Sequence, residues 1–546
     1  MTSNTTIYRN ATVFTGDASV APRESFAVRE GRILAAGDLD AVRLAAGEAE
    51  EVDLAGALVT PGVIEGHSHM LMLGESLSKV QLRDAKTVAE VQERLAAARA
   101  ANPEAPRVLG TSWLFDIFEE GERPTAAMLD AAVPDVPVIL DANDLHSVWA
   151  NTAALEAMGI TRETPDPVGG EIVRDENGDA TGFLIETAAV KHAWGYLDEV
   201  ATDDDRDRYL AAAFAAYLET GVTGATEMSF GHPDLAAYRR ILDRDGRLPF
   251  PVNAHWMLTA TGDLESDLAQ IAEVASIRDE LAARYGDEWL RIAGVKFILD
   301  GVIDACTAAM RAPYANGELP GPIWEREFAL PTAVAADAAG LQLALHAIGD
   351  EASTIALDMV QECIRVNGPR ADRRPRVEHL ESVADDTIAR MAALGVTASM
   401  QPVHCDPAVL DNWQAVLGDE RAHTGFPWHK FREAGVPLAL GTDAPTAPHE
   451  VPNNLFIALT AKSALDHSRE AYQPQRVFTP ADALEALTLG AAYATRRDGE
   501  AGRIAAGYRA TVVVWSANAL TDAPEALLDT EAALTMVDGE VVHGKV

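Results

Sequence analysis

Eight short, nearly continuous apolar runs, separated by helical segments, constrain this chain more than any other feature. In order they are ALVTPGVI, GVTGATEM, PVNAHWML, IAGVKFIL, LQLALHAI, PRVEHL, GVTASMQP and VPLALGTDA. Strands buried on both faces lose the in–out alternation of a half-exposed sheet and read as unbroken apolar stretches. Eight of them alternating with helices predict a parallel (β/α)8 TIM barrel. The intervening helices carry their own signals. TVAEVQERLAAARAAN sets Val88, Val91 and Leu95 at helical spacing. DDDRDRYLAAAFAAYLETG opens with acids, which suit a helix N-terminus, and closes at Gly221.

The count of eight requires that residues 105–200, approximately, be set aside. That stretch has strand-like pieces of its own (RVLG, VPVILDA, GGEIVRDENGDATGFLIE) and many Pro and Gly residues. It is read as a subdomain inserted after the first barrel strand. Both chain ends are β-rich, and the DGE between MV and VV is a hairpin signal. The expected organisation is therefore a small β-sandwich from residues 1–57 plus 496–546, around a (β/α)8 barrel at 58–495.

With 546 residues, a large core forms without disulfides or structural metals. Hydrophobic residues at 48% and charged residues at 23% place the chain among folded globular proteins rather than disordered ones. The charge sum, 44 minus 84, is −40. Such acidity argues against nucleic acid and anionic membranes as partners. Three scattered cysteines without a CxxC pair read as reduced thiols. The start, MTSNTTIYRN, lacks the basic-then-apolar pattern of a signal peptide, and no run of 18 uncharged apolar residues occurs. A cytoplasmic enzyme is the expectation, with a homodimer left open as its assembly.

The chemistry sits at the ends of the apolar runs. His67 and His69 in PGVIEGHSHM are two apart, so on a strand they share a face and can bind one metal ion. HxH alone is a weak signal, equally compatible with two unrelated loop histidines. The other strands change the balance. LALHAIGD ends a run with His346, RVEHLES with His379 and LALGTDAP with Asp443. Metal or catalytic groups of a barrel gather at the strands' C-terminal ends. Lys296, in IAGVKFILDG, lies among apolar neighbours, and burying a lysine is costly unless it is paired or neutralised. Two solutions stay open: a salt bridge to Asp300 or Asp304, or carboxylation by CO2 to a carbamate that bridges two metal ions.

Four further residues are candidate substrate contacts, each with a plain structural alternative. His146 in NDLHSVWAN reaches the barrel mouth or fixes its own loop. Trp113 in GTSWLFDIF lines a pocket or fills a core. His404 in QPVHCD follows the seventh strand and supports the site from behind or faces it. Asp300 ends the Lys296 strand and orients the carbamate or a water. Cys405 adjoins this region, but no base beside it would make it a nucleophile.

HxH on the first strand, Lys on the fourth, His on the fifth and sixth and Asp on the eighth resemble the amidohydrolase superfamily. Within it the chain is similar to the branch of N-substituted formamide deformylase and YtcJ-like metal-dependent hydrolases. The matching stretches include TPGVIEGHSH, DANDLHSVWANTAALEAMGI, VKFILDG, LHAIGDEA, RVEHL, ASMQPVH and GTDAP. They extend over essentially the whole chain. Thr511 stands where the branch usually has Asp, and Glu65 where Asp is frequent. The resemblance implies that His67 and His69 hold the more buried metal with Asp443 nearby, that His346 and His379 hold a second, and that a carboxylated Lys296 bridges them in a two-metal site. It implies a divalent cofactor, one or two ions with zinc as the expected element. It also implies hydrolysis of an amide or N-substituted formamide C–N bond, Asp443 shuttling the proton. The rival readings are a deaminase or cyclic amidase of the same superfamily, or a non-catalytic scaffold.

Overall fold

The computed structural model describes residues 5–118, 123–142, 147–167, 170–410 and 412–545. The chain divides into two compact units, Met1–His69 with Phe214–Val546, and Met70–Ala213.

The first unit contains the barrel. All eight apolar runs form strands: Val63–Ser68, Val222–Phe230, Val252–Met257, Leu290–Ile298, Gln342–Ala347, Arg376–His379, Thr397–Met400 and Leu438–Leu440. They pair in parallel, each with its sequence neighbour, in one eight-stranded sheet. The last strand returns to the first through contacts just beyond their ends. The Asp443 N–H donates to the His67 carbonyl (2.8 Å), and the His69 N–H donates to the Ala444 carbonyl (3.1 Å). Glu65 reinforces this seam by accepting from the Thr442 N–H (2.8 Å) and hydroxyl (2.9 Å). The backbones run so close here that a Cβ on Gly66 would lie 2.4 Å from the Leu440 carbonyl oxygen.

The same unit holds two small sheets. One orders Arg32–Gly37, Ser25–Arg29, Thr5–Arg9 and Glu50–Asp53. The other orders Thr12–Val13, Leu58–Pro61, Val512–Trp515, Ala532–Val537 and Glu540–Gly544. Phe26, Val28 and Ile33 of the first pack with Val59, Val514 and Met536 of the second in one buried cluster. The expected hairpin is present. Asp538 (φ 51°) and Gly539 (φ 81°) both take the left-handed conformation that a two-residue type I′ turn needs. Leu58–Pro61 pairs with Val512–Trp515, so the barrel begins at Val63 rather than at residue 58.

The inserted unit, Met70–Ala213, is wider than the 105–200 expected. Helix Val88–Ala101, capped by the Thr87 side chain, has a pattern that sequence cannot tell from a barrel helix. Its Val91 and Leu95 are buried in the same cluster as Leu82, Trp113 and Leu140 of this unit. Its sheet orders Gly170–Arg174, Ala180–Glu186, Ser147–Ala150, Val138–Ala142, Val108–Trp113 and Val80–Gln81. Trp113 is fully buried, its indole N–H donating to the Leu140 carbonyl (3.1 Å). The structure places it in a core, not on a pocket wall.

Gly66→Ala is the sharpest test of the seam. Overpacking against rigid backbone typically costs about 1–3 kcal/mol. Urea unfolding of the metal-free variant should show that loss; parent-like stability would mean that the first and last strands lie farther apart.

Candidate metal centre

The barrel strands bring together all six residues expected to hold metal, five of them grouped about the carboxylate of the sixth, Asp443. His69 Nε2 is 2.9 Å and His67 Nε2 3.4 Å from Asp443 Oδ1. His379 Nδ1 lies 3.9 Å from Asp443 Oδ2. Lys296 Nζ is 3.2 Å from His67 Nε2. His346 completes the group: its ring centroid is 4.5 Å from that of His379, which is 4.8 Å from that of His67.

Local backbone explains how adjacent residues on one strand both face inward. Glu378 and His379 are neighbours, and alternation should send their side chains to opposite faces. The strand ends at His379, where φ turns to 74°, and Leu380 follows at 54°. Asp443 has φ 60° just beyond the last strand. Left-handed non-glycine residues cost of order 1–3 kcal/mol and cluster at functional sites. Two of the candidate ligands are held this way.

Three of the imidazoles are gripped at Nδ1. His67 Nδ1 meets Glu378 Oε2 at 2.8 Å, His69 Nδ1 meets the Ser229 hydroxyl at 2.9 Å, and His379 Nδ1 meets Gln401 Oε1 at 3.0 Å. Glu378, with Arg376 behind it, was not foreseen, nor were Ser229 and Gln401. The signal for the first pair was in the sequence, since Arg376 and Glu378 are two apart on one strand in RVEH. Ser229 and Gln401 had none beyond their place near strand ends.

The electrostatics suit a cation. Burial, with the Lys296 charge beside it, lowers the pKa of His67 to about 4 and that of His346 to about 3. Burial and the neighbouring imidazoles also hold His379 well below its usual value. These rings are neutral, the form that ligates metal. Burial opposes the charge on Asp443, but the nearby histidines outweigh it and keep the carboxylate ionised. Asp443 Oδ1 is buried against the ring nitrogens of His69 and His67. An ionised, buried carboxylate oxygen with imidazole nitrogens beside it is chemically matched to a divalent ion. The two triads whose donor atoms crowd most closely are His67, His69, Asp443 and His379, His404, Asp443.

Burial lowers the Lys296 pKa to about 8. The carboxylates that act on it most are Glu378 and Asp443, then Glu227, not Asp300. Asp300 accepts the N–H groups of Ala309 (3.0 Å), Ile348 (3.0 Å) and Gly349 (2.8 Å), so it organises the loops after the fourth and fifth strands. It also stands 3.4 Å from His346 Nε2. His404 faces the site, its Nε2 3.4 Å from Asp443 Oδ2 and its Nδ1 3.4 Å from Glu381 Oε1. Burial works against a charge on His404, yet Glu381 and Asp443 raise its pKa above the usual value. The Cys405 thiol is buried and pushed up to about 12. His146 lies outside the described residues.

Residues 50–543 match the Amidohydrolase family. The chain belongs to this family. Among curated relatives of this amidohydrolase, the Arabidopsis thaliana protein LONG AFTER FAR-RED 3 is 32% identical over 529 residues, 93% of this chain and 86% of that one. The putative amidohydrolase YtcJ of Bacillus subtilis is 28% identical and covers 96% of each chain. N-substituted formamide deformylase of Arthrobacter pascens is 28% identical, over 97% of this chain and 96% of the other. Among solved structures, an uncharacterized metal-dependent hydrolase from Pyrococcus furiosus superposes with a TM-score of 0.75 at 26% identity, covering 95% of this amidohydrolase and 100% of that chain. Among the described residues no helix is long and apolar enough to cross a membrane.

Protein purified without added metal should carry at least one equivalent of divalent metal by elemental analysis. Replacing His67 and His69 together by Ala should remove it, and full retention by that variant would dismiss the first triad as a ligand set.

Proposed function

We propose that this amidohydrolase cleaves a C–N bond, an amide or an N-substituted formamide, in a small organic molecule, and that its metal is zinc. The observation that carries the reading is Asp443, a buried ionised carboxylate with one oxygen toward His67 and His69 and the other toward His404. A divalent cation held there by His67, His69 and Asp443 would supply Lewis acidity, polarising a carbonyl and lowering the pKa of a water. The named relative that acts on N-substituted formamides supports the choice of bond.

The chain's own residues divide the work. His67, His69, His346 and His379, neutral or held at Nδ1, present nitrogen ligands. Asp443 takes the proton of the attacking water on a carboxylate oxygen and returns it to the departing amine nitrogen. His404, 3.4 Å from Oδ2, orients that oxygen. Lys296, whose lowered pKa leaves neutral amine available near neutral pH, is the group that CO2 would carboxylate in a two-metal site. The −40 charge works against nucleic acid and anionic membranes as partners, and the proposed location is cytoplasmic.

Asp443→Asn should lower kcat by about 10²–10⁴-fold, the usual contribution of general acid–base catalysis. Metal content measured on the same sample separates the roles: a fall with metal retained supports the shuttle, whereas a fall tracking metal loss shows a ligand only. Parent-rate turnover by the metal-loaded variant would rule Asp443 out as base. Products identify the bond. Formate or another acid together with an organic amine supports the reading, and ammonia would point to deamination instead. No turnover of any amide by the metal-loaded protein would favour a scaffold.

Carboxylation of Lys296 should appear in a crystal structure of the fully metal-loaded protein, as planar density extending from Nζ. A bare amine in a site holding two ions would refute the bridge.

A further inference from the structure

The three imidazoles gripped at Nδ1 have chemically different partners: a hydroxyl on His69, an amide on His379 and a carboxylate on His67. The carboxylate is itself clamped. Arg376 donates Nε–H to Glu378 Oε1 (2.6 Å) and Nη2–H to Oε2 (3.0 Å), and the same Nη2 reaches the Gly66 carbonyl (2.5 Å) and the Ser399 hydroxyl (2.6 Å). Arg376 and Glu378 are both fully buried. An arginine fork is planar and rigid, so it fixes the plane of the carboxylate it holds. Because Nη2 also reaches the backbone beside His67, the clamp ties the sixth strand to the first and seventh.

We propose that Arg376 and Glu378 are positioning residues that set the tautomer of His67. A clamped carboxylate offers His67 only an acceptor, so the ring proton stays on Nδ1 and Nε2 keeps its lone pair. The other side of the ring agrees. Lys296 Nζ, a donor, stands 3.2 Å from Nε2, which makes Nε2 the acceptor. This inference rests on the reading of the site as a metal centre, because the lone pair so exposed is the one directed at Asp443 and the cation. A ring free to choose would put its proton on Nε2 part of the time and lose its ligand there. Outer partners of metal-binding histidines typically change metal affinity about 10–100-fold when removed.

Removing Glu378 alone would leave Arg376 buried without its partner and strongly destabilise the fold. Two paired variants avoid this: Arg376→Met with Glu378→Gln, and Arg376→Met with Glu378→Leu. Both abolish the buried ion pair with side chains of similar size, and they differ in whether an acceptor remains beside His67. The first measurement is cobalt(II) affinity by chelator competition, alongside the melting temperature of each metal-free protein. The Leu variant should bind cobalt(II) roughly 10–100-fold more weakly than the Gln variant, with the two melting temperatures close together. Equal affinities overturn the proposal. The second measurement is the 15N spectrum of metal-free wild-type protein labelled at histidine, with His67 assigned by its absence in His67→Asn. The Nδ1–H tautomer is expected, and an Nε2–H tautomer overturns the proposal. Wild-type protein that shows the Nδ1–H tautomer yet takes up no cobalt(II) would sink the metal centre and leave the tautomer control standing.

Discussion

The structure turns on the seam where the eighth barrel strand meets the first. Closing a parallel barrel requires its first and last strands to meet although they lie hundreds of residues apart in sequence. Here the meeting is made by backbone bonds beyond the strand ends and by one buried carboxyl group. Glu65 accepts from the His67 N–H (3.0 Å) as well as from both donors of Thr442. Burial raises its pKa to about 7, against the pull of those three hydrogen bonds. The residues joined by this seam include the candidate ligands themselves: Glu65, His67 and His69 on one side, Thr442, Asp443 and Ala444 on the other. Barrel closure thus brings His67, His69 and Asp443 together. Any change that opens the seam moves Asp443 away from both histidines.

The sixth strand contributes the opposite kind of constraint. Its few residues carry a buried ion pair, a ligand and a left-handed turn. Buried ion pairs are seldom a net source of stability compared with apolar packing. Left-handed histidine is unfavourable too. A strand that served packing alone would carry apolar residues at these positions, as Val377 does between them. The polar floor of the barrel is therefore explained by what it holds in place above, with stability supplied by the apolar strands and helices around it.

The sequence made the barrel legible because buried parallel strands leave a plain apolar trace, and all eight runs became strands. The candidate ligands at their ends were legible for a related reason: a polar residue that ends an apolar run stands out. What escaped was whatever shares its pattern with something else. The helix Val88–Ala101 has the same amphipathic spacing whether it covers a barrel or an inserted sheet, so the insertion was drawn too narrow. Trp113 reads alike as pocket wall or core, and its burial with a satisfied N–H decides for core. Glu378 was hidden by its neighbour, since alternation allows only one of two adjacent residues to face the site and His379 had the stronger claim. The positive φ that lets both face inward leaves no trace in a non-glycine residue. Asp300 looked like a partner for Lys296 by proximity in sequence, but three backbone N–H groups take its carboxylate.

In the proposed mechanism one carboxylate carries demands that usually fall on two. As a ligand, Asp443 must stay ionised and fixed; as a base, it must accept and release a proton. A carboxylate whose two oxygens see the same surroundings meets these demands poorly, since protonation weakens its hold on the cation. The surroundings of Asp443 differ on its two sides. Oδ1 has His67 and His69 near it, whereas Oδ2 has His404, with Glu381 behind that ring. In the proposed mechanism this asymmetry would let one oxygen remain committed to the cation while the other exchanges a proton beside a different neighbour. The left-handed backbone at Asp443 follows from the same requirement. Only a sharp turn at the strand end presents both oxygens to groups from the first, sixth and seventh strands at once, and a residue continuing the strand would have faced one of them.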